Sequence, residues 1–390
     1  MVGLKLLELR QRRELYIGVF LGLFLLEVQS LFDQDLLVNL YLPLLSLALI
    51  VLLGEAHRAK PGFRPRPALR QLGLLLLPAL PLAVVLFVLF PRLSAPLWSV
   101  YGGSGTGVTG FSDRLQPGNV SQLSHSEAVA FRASFDRKPP PQDQLYWRGL
   151  VFVGTDGRNW ELANTEPLDP DALALVWEDE VLDYSLTLEP HRQRWLFALE
   201  LPVALPPGAS LNSAFELQSA QPVSRLTRYQ MRSSPELENR EIGPLQRERA
   251  LQLPDNITPR MRALVAGWQA DSDDAAGLVD AALQHFREEA FYYSLTAPQT
   301  RGNPADEFLF ETRTGFCEHY ASAFAVILRM AGIPTRIVTG YMGGWYNELG
   351  GYYLVRQSDA HAWTEIWLPG DGWTRVDPTA AVSPARVERG

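Results

Sequence analysis

Cysteine is almost absent: the 390 residues contain one, Cys317. A lone cysteine has no partner within the chain, which excludes a disulfide-stapled scaffold and leaves the thiol free. No dense basic patch is present either. The net charge is −8, carried mostly by the later part of the chain, which argues against a nucleic-acid partner. Internal repeats are missing. Asp271, Asp273 and Asp274 lack the glycine and terminal glutamate of an EF-hand loop, so they read as a solvated helix N-terminus. No metal and no cofactor is expected. Asn256-Ile257-Thr258 fits a glycosylation pattern that matters only in a eukaryotic secretory pathway.

What the chain has in excess is apolar sequence at its start. The overall content, 47% hydrophobic and 20% charged, is ordinary, but residues 1–100 are dominated by Leu, Val, Phe and Pro. Three long apolar runs stand out. Residues 15–32 carry one charge, Glu27; residues 36–54 and 72–90 carry none, and the last contains Pro78 and Pro81. Each matches the length of a transmembrane helix. A buried core helix is the alternative, and Glu27 makes the first run the weakest of the three. A cleaved signal peptide fits poorly, because the runs are too long and repeat.

Basic residues set the orientation. Lys5, Arg10, Arg12 and Arg13 precede the first run; Arg58, Lys60, Arg64, Arg66 and Arg70 fill the loop before the third; Asp33-Gln34-Asp35 lies between the first and second. The N-terminus and the 55–71 loop are therefore expected in the cytoplasm. Everything after about Arg92 is expected on the far side, the periplasm of a bacterium, with a multi-pass anchor in the lipid bilayer of the inner membrane.

After a Gly-, Ser- and Pro-rich connection at 93–115, residues 120–232 alternate with period two. Examples are 128–135, 145–153, 182–188 and 195–199, with turns at Asp156-Gly157 and Pro206-Pro207-Gly208. This predicts an antiparallel sheet or sandwich. No cluster in it has the composition of a catalytic site, so it reads as a binding or spacer module. A polar stretch near 232–256 marks a linker. Thr258-Pro259 is an N-cap and first-turn pair for a helix over 260–270. Further helices are predicted over 274–290 and from Cys317 to about Met330, with strands over 336–341, 352–356, 360–368 and 373–376.

Cys317 opens its helix, where unsatisfied N–H groups and the helix dipole favour a thiolate and a backbone donor is available for an anionic transition state. A cysteine at a helix start is weak evidence taken alone, since a buried apolar cysteine looks the same. The hairpin at 360–377 strengthens it. Alternation puts His361, Trp363, Glu365 and Trp367 on one strand face and Trp373, Arg375 and Asp377 on one face of the returning strand. An odd number of loop residues makes the two faces coincide and brings His361 within reach of Asp377; an even number breaks the pairing. Cys317, His361 and Asp377 then have the residue types of a nucleophile, its base and the base's orienter. His319 diverges from Cys317 at i+2 and reads as a structural or substrate-contact residue. Trp363 reads equally as a wall of the site or as core packing. His57, His125, His191 and His285 have no such context.

Gly315 to Ala321, Arg329 to Arg336, Gly340-Tyr341, Asp359 to Glu365 and Gly372 to Thr379 together resemble the transglutaminase-like superfamily core, over roughly residues 255–380. The resemblance implies a papain-like fold and maps the family's triad onto Cys317, His361 and Asp377. Pro91-Arg92-Leu93, Pro96-Leu97-Trp98, Tyr146-Trp147-Arg148-Gly149 and Asp156-Gly157-Arg158 resemble the bacterial inner-membrane members of that superfamily. Those proteins usually have more membrane helices upstream and another after the catalytic domain, so this chain reads as a truncated version. The expected class is α+β. A membrane region over 1–92 precedes a periplasmic β-rich domain over 93–232 and a transglutaminase-like domain over 233–390. The activity implied is protein-glutamine gamma-glutamyl transfer, from a protein or peptide acyl donor to an amine acceptor. A papain-like cysteine protease or amidohydrolase is the alternative, and a non-catalytic cell-wall peptide-binding module is a third reading that an intact triad disfavours.

Overall fold

A computed structural model describes residues 12–32, 36–56, 77, 81, 111–116, 119–163, 165–168, 181–234, 242–272, 274–298, 300 and 302–383. Residues 1–103 form one compact unit and residues 104–390 another.

In the first unit, helix α1 (Arg12–Phe32) packs on helix α2 (Leu36–Ala56). Large apolar side chains stay exposed on both, among them Phe20, Phe24 and Leu44. Among the described residues, no helix is long and apolar enough to cross a membrane, so the expected spans over 15–32 and 36–54 are present as helices and not shown as spans. The expected span over 72–90 lies outside the described residues, apart from Leu77 and Pro81.

The second unit is α+β with a β-rich middle. Its strands in the two large sheets are β1 (Arg114–Leu115), β2 (Val129–Phe135), β3 (Tyr146–Thr155), β4 (Trp160–Leu162), β5 (Leu182–Leu188), β6 (Ala198–Leu199), β7 (Leu201–Ala204), β8 (Thr227–Ser234), β9 (Thr335–Met342), β10 (Trp345–Asn347), β11 (Tyr352–Arg356), β12 (Ala360–Leu368) and β13 (Gly372–Val376). A seven-stranded antiparallel sheet runs β1-β4-β3-β9-β12-β13, with β6 also paired to β3; a six-stranded one runs β10-β11-β2-β5-β8-β7. Both sheets join strands from before and after the polar stretch, at β3–β9 in one and at β2–β11 in the other. The polar stretch near 232–256 is thus a connection in the chain and not a gap between sheets. It also contains a short helix, Pro244–Ala250. The helices of six or more residues described in this unit are α3 (Asn119–Ser124), α4 (Pro244–Ala250), α5 (Pro259–Asp271), α6 (Ala275–Glu288) and α7 (Cys317–Met330).

Burial explains the arrangement. Every residue of β9 is buried, as suits a central strand covered on both faces. Its partner β3 is buried at nearly every position. The two approach so closely that side chains are excluded at two points. A Cβ at Gly340 would lie 1.9 Å from the Trp147 carbonyl oxygen, and one at Gly149 would lie 2.9 Å from that of Thr339. The register slips between Thr339 and Gly340, a bulge at the crowded point. Helix α7 is apolar nearly all round and buried to match, and it packs on β9 and β12. In its last turn, buried Arg329 donates to the carbonyls of Thr335, Gln252 and Val153 at 2.7–2.9 Å, which ties the helix to the sheet.

Candidate active site

Cys317 is the first residue of α7, after Phe316 in extended conformation. The Phe316 side chain gives no cap; the N–H groups of His319 and Tyr320 close on its carbonyl at 2.8 and 3.3 Å. The N–H of Cys317 precedes the first intrahelical bond and points out of the helix end, as the geometry of any helix start requires.

His361 lies on β12, opposite Gly340 of β9, and is fully buried. Leu368 of β12 pairs with Gly372 of β13, so three residues, Pro369, Gly370 and Asp371, form the loop. The odd loop puts the His361 face and the Asp377 face together, and Asp377 lands one residue beyond β13, diagonal to His361. The imidazole Nε2 and Asp377 Oδ2 are 2.7 Å apart. Asp377 is held in turn: its Oδ1 accepts from the N–H of Thr379 at 2.9 Å, at the start of a single 3-10 turn. Its Oδ2 also accepts from the Tyr146 hydroxyl at 2.9 Å.

The charges follow from these contacts. Burial alone would lower the His361 pKa, but the charge of Asp377 and its hydrogen bond, helped by Cys317, raise it to about 9. Burial would raise the Asp377 carboxyl; the His361 charge and hydrogen bond, the Thr379 N–H and the Tyr146 hydroxyl outweigh that and hold it below the usual carboxylate range. Cys317 adds to the upward shift of the His361 pKa. Nδ1, the ring nitrogen not used by Asp377, makes no hydrogen bond; nucleophile–base bonds often form only once substrate binds.

The other residues singled out from the sequence fall nearby in different roles. His319 packs edge-on against Phe316 with ring centroids 4.6 Å apart, and burial pushes its pKa down to about 4, so it is neutral at physiological pH. Trp363 is fully buried and stacks behind His361, 6.3 Å between ring centroids; its indole offers no exposed surface. Among the described residues no group of three or more His, Cys, Asp or Glu side chains could hold a metal ion.

Two features escaped sequence reasoning. One is Tyr146, whose tetrapeptide with Trp147, Arg148 and Gly149 stood out, although nothing in it located the hydroxyl 231 positions from its partner. The other is a buried ionic cluster behind the site. Arg148 grips Glu365 with both terminal guanidinium nitrogens, and Arg336 donates to the same carboxylate at 2.7 Å while stacking on Trp373. Burial would raise the Glu365 pKa, but the two arginines bring it down to about 2.

Fold and geometry define a class: α+β proteins in which a cysteine begins a helix packed on an antiparallel sheet, and the sheet presents a histidine and an aspartate to it. The chain belongs to the transglutaminase-like superfamily, in the branch that carries the TgpA N-terminal domain: residues 1–238 match that domain and residues 262–378 match the transglutaminase-like superfamily core. It is 44% identical over 390 residues to the protein-glutamine gamma-glutamyltransferase of Pseudomonas aeruginosa, a match covering 99% of this chain and 58% of that protein. The chain thus spans a little over half of that relative's length. A Bacillus subtilis protein, "Uncharacterized protein YebA", is 38% identical over 139 residues, 34% of this chain and 19% of its own. Among solved structures, the periplasmic domain of TgpA from Pseudomonas aeruginosa is similar at a TM-score of 0.68 and 43% identity, over 72% of this chain and 98% of that one.

Proposed function

We propose that this protein is a membrane-anchored protein-glutamine gamma-glutamyltransferase whose catalytic residues are Cys317, His361 and Asp377. The observation that carries the reading is the buried imidazole with a carboxylate at 2.7 Å on one nitrogen and no partner on the other, on a strand packed against the helix that Cys317 opens. The Cys317 sulfur attacks the carboxamide carbon of a glutamine side chain. The oxyanion is met by the N–H of Cys317 at the helix start. His361, which has taken the proton of the Cys317 thiol, gives it to the departing nitrogen, the C–N bond breaks, ammonia leaves and a thioester remains. An amine then attacks the thioester carbon, His361 takes its proton, and the new amide forms as the sulfur is released. Asp377 keeps the imidazole oriented and stabilises its charged form.

Transfer rather than hydrolysis is supported by the 44% identity to a protein-glutamine gamma-glutamyltransferase. Periplasmic placement of the catalytic unit is supported by its likeness to the periplasmic domain of TgpA. Attachment to the inner membrane is supported by the apolar side chains exposed on α1 and α2 and by the uncharged runs at 36–54 and 72–90, each about 30 Å long as a helix. Protein and peptide substrates of the cell envelope follow from that location, and His319, beside the nucleophile, is the side chain proposed to contact them. Trp363 is proposed to act from behind the imidazole.

The test uses the full chain in detergent with a glutamine-containing peptide and a labelled primary amine. Wild type is expected to incorporate label and Cys317→Ala to lose it. Undiminished incorporation by Cys317→Ala would overturn the nucleophile assignment, and ammonia release without incorporation would make the protein a hydrolase.

A further inference from the structure

We infer that Tyr146 is a positioning residue of the site: its hydroxyl, delivered by strand β3 from the N-terminal half of the chain, fixes the Asp377 carboxylate that orients His361. The inference rests on the acyl-transfer reading of Cys317 and His361 given above.

The argument is geometric. Asp377 Oδ2 receives two contacts, the His361 Nε2 at 2.7 Å and the Tyr146 hydroxyl at 2.9 Å. Oδ1 is already fixed by the Thr379 backbone, so the hydroxyl settles where the second oxygen, and with it the imidazole, sits. Tyr146 is itself immobilised. Its ring meets Trp363 edge-on with centroids 5.2 Å apart, and the Arg375 guanidinium lies 3.9 Å from its centroid on the other flank. Arg375 is held there by an ion pair with Glu200. Glu200 in turn donates its backbone N–H to the Tyr146 carbonyl at 3.1 Å. Tyr146 is 3% exposed. A tyrosine that only filled space at this point would not need its hydroxyl aimed at the one oxygen shared with the imidazole.

Burial and the Asp377 charge push the Tyr146 hydroxyl above its ordinary pKa, so it stays a donor at every working pH. The charged and titratable groups facing the Tyr146–Asp377 pair are His361 from β12, Arg375 from β13 and Asp143 from the turn before β3. Cys317 from α7 acts on the same His361, and Glu200 acts through Arg375. A donor to a carboxylate favours its charged form. Without it, the Asp377 carboxyl takes up its proton at higher pH and the imidazole loses a fixed partner.

The experiment compares Tyr146→Phe with wild type in the full chain. A hydrogen bond to a charged group is worth roughly 10- to 100-fold in rate. We expect kcat to fall by about that factor with KM unchanged, because Tyr146 is buried and acts through Asp377. We also expect the acid limb of the pH–rate profile to move to higher pH, together with the Asp377 carboxyl titration followed by NMR. Tyr184→Phe is the control: that hydroxyl is equally buried but bonds Ser233 in the six-stranded sheet and accepts from the N–H of Leu199 on β6, with no bond to Asp377, so it is expected to lower stability and leave the pH profile in place. A Tyr146→Phe protein with wild-type kcat and pH profile would overturn the inference, as would a loss of kcat matched by Tyr184→Phe at equal stability. The NMR titration is repeated in a Cys317→Ala background. Activity surviving Cys317→Ala condemns the underlying reading; an unmoved Asp377 titration in that background condemns the role of Tyr146.

Discussion

His361 and Asp377 depend on each other, and their contribution to stability has a definite pH window. The His361 pKa is raised from 6.5 to about 9 in the folded protein, so its stabilisation is complete below 6.5 and is lost as pH rises through about 9. The Asp377 pKa is lowered from 3.8, so its stabilisation is present above 3.8 and is lost as pH falls through the depressed value. The pair therefore contributes most between these limits. Urea denaturation across pH, for wild type and the His361→Gln/Asp377→Asn double variant, is expected to give a gap widest at pH 4–6.5 that narrows toward pH 9 and toward strong acid; a gap independent of pH contradicts the pairing. These two residues were legible in the sequence because both belong to one hairpin. Alternation assigned their faces, and the three-residue loop met the parity condition. Tyr146 was not legible at the site. Its partner lies 231 positions away, and no local periodicity reports which strands become neighbours.

At the scale of elements, the site stands on β3, β9 and β12 and on the helix that opens with Cys317. The helix and the strands after it were readable from periodicity and caps: the helix predicted from Cys317 to Met330 and the strands at 352–356 and 360–368 recur with those bounds. Short elements were not. Trp345–Asn347 has three residues and Pro244–Ala250 seven, too few to show a period. The Arg148–Glu365–Arg336 cluster also bridges these three strands. Its charges are satisfied only together, since a buried carboxylate between two guanidiniums leaves unpaired positive charge when it is neutralised. Glu365→Gln is expected to cost about 3–5 kcal/mol by chemical denaturation, with a cost near zero contradicting the cluster's role. Because the folded carboxylate pKa is lowered from 4.5 to about 2, that stabilisation holds above pH 4.5 and disappears as pH falls through 2. Gly340→Ala tests the close approach of β3 and β9. A Cβ 1.9 Å from the Trp147 oxygen forces the strands apart, so a lower Tm and a loss of activity through displaced Tyr146 are expected together. A variant with unchanged Tm and activity would show that the bulge has room to spare.

For the whole molecule, a sequence divided by composition at 232–256 folds with strands from both sides in the same two sheets. A donor to Asp377 can therefore come from the part with no catalytic signature. Composition reports which stretches are strands; it does not report that β3 and β9 lie side by side. Residues 1–103 are a unit of their own. The full chain is expected to sediment with membranes and resist alkaline extraction, and recovery in the soluble fraction would contradict the anchoring proposal. The central claim concerns one sulfur atom. Intact-mass spectrometry of the full chain, quenched in acid during turnover of a glutamine peptide without amine, tests it most directly. The expected result is an adduct of the peptide mass less one ammonia, mapped to Cys317, absent from Cys317→Ala and released by added amine. No adduct under turnover, or the same adduct in Cys317→Ala, would contradict it.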